Sequence, residues 1–324
     1  MKKHLILISW AFILYTCHAF SQQTDYVLVI HGGAGNITSE RFNHEKQALY
    51  NQKLTEALTV GDSILAGNGT ALDAVVAAIQ VMEDCPLFNS GKGAVFNADG
   101  KNELDASIMD GKTLKAGAVA GVMIIKSPVA AARRVMDSSS HVMLAGRGAE
   151  EFARLQGLEI VDPGYFYTDE SWQEYLNVKA KIEKNGRKGT VGAVALDKNG
   201  NLAAATSTGG MVYKKYGRIG DSPVIGAGTY ASNESCAVSC TGHGEFFIRN
   251  AVAFDVSARM LYLGESVEKA AGYIINEKLK NQGASGGLIA LDKDGNFCMP
   301  FNTPGMFRGY IRQGGHAEVF MFNQ

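Results

Sequence analysis

The sequence predicts an α+β fold in which two sheet layers pack on each other and carry helices. Three observations point there. "GAVALDKNGNLAAATS" from Gly192 and "GGLIALDKDGNFCMPFN" from Gly286 share one plan: an apolar strand, an Asp-Lys-x-Gly-Asn turn and a second strand. Each reads as a hairpin with a tight turn. Asn89 to Lys126 alternates short strands with Gly and Asp-Gly turns, as an antiparallel meander does. Between the hairpins, "GEFFIRNAVAFDVSARMLYLG" and "ESVEKAAGYIINEKLKNQG" have helical apolar spacing, and each ends at Gly. Two hairpin copies are too few for a solenoid, so two hairpins in a sandwich, beside two packed helices, is the simpler reading.

The chain opens on "MKKHLILISWAFILYTCHAFSQQ", with Lys2 and Lys3 ahead of an apolar run from Leu5 to Tyr15 and small residues near Ser21. That is the plan of a secretory signal over residues 1–21, and the run is shorter than the roughly 20 residues of a membrane helix. Cys17 allows a lipoprotein alternative, but Leu14-Tyr15-Thr16 ahead of it lacks small residues. The expectation is a periplasmic or secreted protein starting near Gln22, with no membrane contact once the signal is removed. "DYVLVIHGGAG" then reads as a strand ending in a glycine turn, and a helix within Glu45–Leu65 stops at Gly67. Thr70 and Asp73 form a capping-box pattern that opens an apolar helix closed by Pro86, and Pro128 sits in the first turn of a further helix. Tyr165 to Gly189 is polar and charged and resembles a linker. A core strand follows it, so it does not separate two independent domains.

With 324 residues, 46% hydrophobic, and a formal net charge of -1, the chain can bury a large core as one big domain or two ordinary ones. Lys and Arg are scattered, which leaves no electrostatic footprint for nucleic acid. Small-molecule or peptide chemistry is favoured. After signal removal the cysteines are Cys85, Cys236, Cys240 and Cys298, too few for a disulfide framework. Cys236 and Cys240 lie on one strand, about 13 Å apart at strand rise, too far to bridge, and buried free thiols are expected. No motif of a transition-metal centre is present.

Gly189-Thr190 stands where this polar stretch meets the first hairpin. Thr is a β-favouring residue and can simply open a strand. Alternatively the chain is cut there. A Thr hydroxyl is a poor nucleophile without a base, but an N-terminal Thr carries an α-amine of pKa about 7.7–8.0 that can take its proton. Gly189, small and free to adopt strained geometry, suits such a cut.

The surroundings offer more chemistry. Thr208 ends the return strand of the same hairpin, near the start of the first. Arg218 and Asp221, in the Gly-rich "GRIGDSP", could hold the carboxylate and ammonium of an amino-acid-like ligand, or could pair with each other as a loop salt bridge. Thr241, Gly242 and Gly244 lie between a strand and a helix beginning near Glu245, where amides and a hydroxyl can stabilise an oxyanion or bind nothing. A periplasmic amino-acid-binding protein would use Arg218 and Asp221 without catalysis and would stay one chain. "HGGAG" lacks the glycine spacing of a dinucleotide fold.

"HGGAG", "CPLFNSGKGAVF", "NELDASIMDG", "GTVGAVALD", "AATSTGG", "GRIGDSPVIGAGTYA", "SCTGHGE" and "GGLIALD…PFNT", in that order from about Val27 to Arg308, resemble the plant-type L-asparaginase, or isoaspartyl peptidase, branch of the N-terminal nucleophile hydrolases. The resemblance implies a four-layer αββα sandwich and a precursor that cuts itself between Gly189 and Thr190, into an α chain (22–189) and a β chain (190–324) of one catalytic domain. It implies that Thr190 is the nucleophile, Thr208 its hydroxyl partner, and Thr241 with Gly242 the oxyanion hole. It also implies that Arg218 grips the substrate α-carboxylate, that Asp221 and the Gly244 backbone take the ammonium, and that Asn89 belongs to the site. It implies no catalytic cofactor, a structural sodium held by the carbonyls of Met82, Glu83, Cys85, Phe88, Ser90 and Lys92, and a dimer of αβ units. Lys92 stands where an apolar residue is expected. The implied reaction is hydrolysis of β-aspartyl dipeptides and L-asparagine. Glycosylasparaginase is the neighbouring alternative, which "HGGAG" and "GTVGAVALD" fit less well.

Overall fold

The computed structural model describes residues 24–180 and 189–323; the expected signal and residues 181–188 of the Tyr165–Gly189 stretch lie outside the described residues. The elements run β1 (Val27–Gly35), α1 (His44–Ala66), α2 (Ala71–Glu83), β2 (Leu104–Asp110), β3 (Ala116–Val122), α3 (Pro128–Ser138), β4 (Met143–Ala145), α4 (Gly146–Leu155) and α5 (Asp169–Lys179). After them come β5 (Val191–Leu196), β6 (Leu202–Thr208), β7 (Thr229–Ala231), β8 (Cys236–Gly242), α6 (Gly244–Asn250), α7 (Val252–Leu263), α8 (Val267–Tyr273), β9 (Gly286–Asp292), β10 (Phe297–Cys298), β11 (Gly305–Arg312) and β12 (Glu318–Phe322). They form an eight-stranded sheet, β12-β11-β1-β5-β6-β2-β3-β4, and a four-stranded sheet, β10-β9-β8-β7.

Strand alternation stacks these sheets into four layers. On β1, Leu28 and Ile30 point to the core shared with α1, α2 and α3, while Val27 and Val29 point to the core between the sheets. On β9, Ile289 and Leu291 meet that inter-sheet core, and Leu288 and Ala290 face α7 and α8. The order is helices, large sheet, small sheet, helices: the αββα sandwich. Because side chains alternate with period two, each strand feeds two cores at once, and truncating a core leucine such as Leu28 is expected to cost about 2–5 kcal/mol.

β1 and β5 pair antiparallel from Val27↔Leu196 to His31↔Gly192, so an interior pair of the large sheet takes one strand from each side of Gly189-Thr190. Both hairpins are present. The second has a return strand of two residues, Phe297–Cys298, and it belongs to the small sheet.

Four expectations need correction. The glycines of "HGGAG" do not turn the chain; they lie inside β1, at a bulge between His31 and Gly33, where a Cβ on Gly32 would meet the Phe88 ring and one on Gly33 the Cα of Gly189. The Tyr165–Gly189 stretch is not a linker throughout. It contains α5, capped by Thr168, whose side chain accepts the Ser171 amide, and anchored where Trp172 and Tyr175 pack with Phe96. "GEFFIRNAVAFDVSARMLYLG" is two helices. Ala251 sits at φ 47°, and beyond it the amides of Ala253 and Phe254 donate to the carbonyls of Ala227 and Gly226. Those loop carbonyls supply a hydrogen-bonding alternative to the continued helix, which offsets the left-handed cost. Finally, the meander starts only at β2; before it, residues 89–103 form a 3₁₀ turn and a single bridge. The four cysteines are free thiols, three buried and Cys298 half-buried.

Candidate active site

The hairpin register builds the centre of the site. Val191 pairs with Ser207 and Leu196 with Leu202, so the next residues outward, Thr190 and Thr208, face each other at the open end. Thr190 Oγ1 donates to Thr208 Oγ1 at 3.1 Å, and Thr208 Oγ1 donates to the Gly189 carbonyl at 3.1 Å. The Gly210 amide donates to the Thr208 hydroxyl at 2.9 Å, which fixes its orientation. The Gly189 carbonyl takes a second bond, 2.9 Å, from Asn89 Nδ2. Asn89 is itself held by the Gly210 carbonyl and the Val95 amide. Two donors thus converge on the one carbonyl that a Thr190 attack would charge.

His31 lies in "HGGAG", and nothing in the sequence marks a role for it. Its ring is fully buried, and Nδ1 lies 3.0 Å from the Thr190 carbonyl and Nε2 3.0 Å from Ser239 Oγ. A carbonyl can only accept, so Nδ1 carries the proton and Nε2 accepts from Ser239. Burial pushes the imidazole pKa down to about 3, leaving it neutral at any working pH. Gly192 makes the room: a Cβ there would collide with both Ser239 Oγ and His31 Nε2.

A small pocket opens beside Thr190, lined also by Thr208, Arg218, Asp221 and Gly242. Arg218 and Asp221 do not pair with each other. Arg218 Nε donates to Glu245 Oε1 at 2.9 Å, a partner that its place in "SCTGHGE" could have suggested. Asp221 is buried, and its Oδ2 has no hydrogen-bond partner among the described residues. Burial raises its pKa to about 7, against the pull of the Arg218 charge. Gly244 is close enough that a Cβ on it would lie 2.8 Å from Arg218 Nη2 and 2.9 Å from Asp221 Oδ1. The pocket therefore offers a cation, a buried carboxyl with one oxygen unpartnered among the described residues, and close backbone, which together suit a zwitterionic amino-acid head.

Thr241 stands behind this pocket rather than in its wall. Its hydroxyl accepts the Ala34 amide at 3.4 Å. Gly242, at φ 159°, is extended backbone at the end of β8, and it does line the pocket.

The carbonyl-bearing segment from Met82 to Lys92 lies away from the pocket but is joined to it. Ser90 Oγ donates to Ser207 Oγ at 2.7 Å, and Ser207 donates to buried Glu83 at 2.6 Å, next to Thr208. The Glu83 side chain was missed from sequence; it also accepts from Ser127 and the Val129 amide, and burial lifts its pKa to about 7. A Cβ on Gly91 would collide with the Glu83 carbonyl, and one on Gly93 with those of Phe88 and Pro86. Phe88 and Ser90 carbonyls each accept one turn amide, leaving a lone pair apiece. Oxygen donors of this kind suit a hard cation. The Lys92 ammonium sits 5.5 Å over the Tyr165 ring.

A second, larger cavity of about 630 Å³ lies on the other side of Gly189, which lines both. No described helix is long and apolar enough to cross a membrane.

Comparison with known proteins gives a consistent picture. A family model described as asparaginase matches residues 24–321. The isoaspartyl peptidase of Salmonella typhimurium is 50% identical over 309 residues, covering 92% of this chain and 99% of that protein. A putative isoaspartyl peptidase/L-asparaginase of Dictyostelium discoideum is 46% identical, covering 90% and 95%. A plant-type L-asparaginase of Pyrococcus horikoshii is 41% identical, covering 89% and 96%.

Proposed function

We propose, on the premise that this chain belongs to the asparaginase family and is a hydrolase of its isoaspartyl peptidase/L-asparaginase kind, that it is exported, cuts itself between Gly189 and Thr190, and then uses Thr190 as an N-terminal nucleophile. The observation that carries the reading is the hydrogen-bond chain from the Thr190 hydroxyl through Thr208 to the Gly189 carbonyl.

In the precursor, Thr190 Oγ attacks the Gly189 carbonyl carbon. Its proton passes to Thr208 Oγ as the Thr208 proton moves toward the Gly189 oxygen, where Asn89 Nδ2 also donates. The C–N bond breaks with the proton delivered to nitrogen, and water hydrolyses the resulting ester. The products are the Gly189 carboxylate and a free Thr190 α-amine. That amine then serves as base for the same hydroxyl. His31 anchors the Thr190 carbonyl while the amine end moves.

In the mature enzyme, Arg218 and Asp221 hold the α-carboxylate and α-ammonium of an aspartyl unit, with the Gly244 backbone closing the ammonium side. Thr190 attacks the side-chain amide carbon, and the developing oxyanion faces the Gly242 backbone, with Thr241 buried behind it as a support of that strand end. Thr208 orients the nucleophile. Ammonia or the amine of a second residue leaves, and water releases aspartate. Requiring both α-groups excludes endopeptidase action. The names of the relatives favour this over glycosylasparaginase.

The carbonyls of Met82, Glu83, Cys85, Phe88, Ser90 and Lys92 would hold a sodium ion whose part is structural: it stiffens the turn that carries Asn89. Replacing sodium by choline should then lower the melting temperature by a few degrees; an unchanged value would remove the ion from the reading. Intact-mass analysis of protein recovered from the periplasm or medium tests the rest. Two chains, 22–189 and 190–324, co-eluting as a dimer of αβ units, are expected. A full-length chain that hydrolyses asparagine would overturn the N-terminal nucleophile.

A further inference from the structure

We propose that the larger cavity beside Gly189 is the leaving-group subsite, and that Arg41 within it binds the free carboxylate of a β-aspartyl dipeptide whose second residue is apolar. This rests on the reading of Thr190 above and extends it to the half of the substrate that Arg218 and Asp221 do not touch.

Geometry assigns the direction. The small pocket holds the aspartyl head, and the reacting carbon sits at Thr190 Oγ. Its nitrogen substituent leaves on the side away from the aspartyl head, and Gly189, the residue shared with the larger cavity, marks that side. Asn89 and Gly189 form the near wall of that cavity, and its volume of about 630 Å³ accommodates an amino-acid residue.

Chemistry assigns the occupant. In a β-aspartyl dipeptide the second residue's nitrogen is tied up in the scissile amide, so its free group is a single carboxylate. Two cations, Arg41 and Lys46, and two carboxylates, Glu170 and Glu174, line the cavity. Lys46 is engaged with Glu170 at 3.0 Å, whereas Arg41 makes no ion pair among the described residues. Next to Arg41, Phe42, Leu87 and Phe307 supply an apolar wall, with the Phe42 ring edge-on to Phe307 at 5.4 Å. An apolar side chain lies against that wall while its carboxylate faces the guanidinium. Ammonia, the leaving group of asparagine, would touch neither.

Steady-state kinetics of the mature protein test this with β-aspartyl-leucine, its C-terminal amide and L-asparagine. Arg41→Gln should raise KM for β-aspartyl-leucine about tenfold, as expected for a lost charge-assisted hydrogen bond, with kcat little changed. Arg41→Lys should recover part of the loss. Wild-type enzyme should lose a similar factor on the amide, Arg41→Gln should lose nothing further on it, and asparagine turnover should be the same in all three proteins. An unchanged KM for β-aspartyl-leucine in Arg41→Gln, or an equal loss on asparagine, would overturn the subsite. Wild-type enzyme that turns over none of the three compounds would overturn the Thr190 reading, and this subsite with it.

Discussion

The two hairpins of this molecule close alike and open differently. In β5–β6, Asp197 Oδ1 accepts the amides of Asn199 and Asn201 across the turn; in β9–β10, Asp292 Oδ1 accepts those of Asp294 and Asn296. Gly200 and Gly295 hold φ of 76° and 81° in equivalent places. At the open ends the likeness stops. The first presents Thr190 to Thr208, with Asn89 and His31 around them, whereas the second presents Gly286, whose amide donates to Asn302 Oδ1. The same strand-turn-strand plan is thus a folding device in both copies, and the chemistry proposed for Thr190 is an addition at one mouth.

Thr190→Ala is the sharpest way to break the comparison. It should leave the hairpin folded yet give one uncut chain and reduce asparagine hydrolysis by at least about four orders of magnitude, as removal of a nucleophile does. Intact mass and a coupled aspartate assay report both, and cleavage of this variant would place the reacting group elsewhere. Asp221→Asn separates function from stability beside the same mouth. The carboxyl is disfavoured as an anion in the fold, with a pKa of about 7 against an ordinary 3.8. Its cost to stability is therefore absent near pH 4, grows between pH 4 and 7, and is complete above 7. The variant should be inactive but more stable than wild type at pH 8, by up to about 4 kcal/mol, with the gain vanishing near pH 4. Urea melts at the two pH values would show it, and a gain equal at both would assign it to something other than this charge. The smallest effects belong to the closed ends. Gly200→Ala and Gly295→Ala each place Ala in the left-handed region with nothing closer than 3.6 Å to the new Cβ. Each should cost about 1–2 kcal/mol with kcat/KM unchanged, so a large difference between them would mean the turns are not equivalent.

These contrasts also explain what could be read from sequence. Thr190 opposite Thr208 was legible because the turn is local: once Leu196 pairs with Leu202, antiparallel register carries outward to the two threonines without further information. Arg218 and Asp221 were legible as charges in one loop, but their separation was not. The pairing of Arg218 with Glu245 depends on how α6 packs, as does the left-handed Ala251 on loop carbonyls at Gly226 and Ala227. His31 and Glu83 reach partners more than a hundred residues away, at Thr190 and Ser207, so no local pattern announces them. α5 was hidden by its polarity, because its burial rests on a few aromatic contacts rather than an apolar stripe.

The small pocket has a wall with little in it that can vary. Of its lining residues, Gly189, Gly210, Gly220 and Gly242 contribute backbone, and Thr190, Thr208, Arg218 and Asp221 are those given roles above, which leaves Met211 and Ser222. A directed-evolution library aimed at a new acyl half would have two positions to explore there. The wall across Gly189 is built from ordinary side chains such as Arg41, Phe42 and Gln173. Divergence among descendants of this scaffold should therefore accumulate on that side, with what the enzyme removes drifting faster than what it keeps.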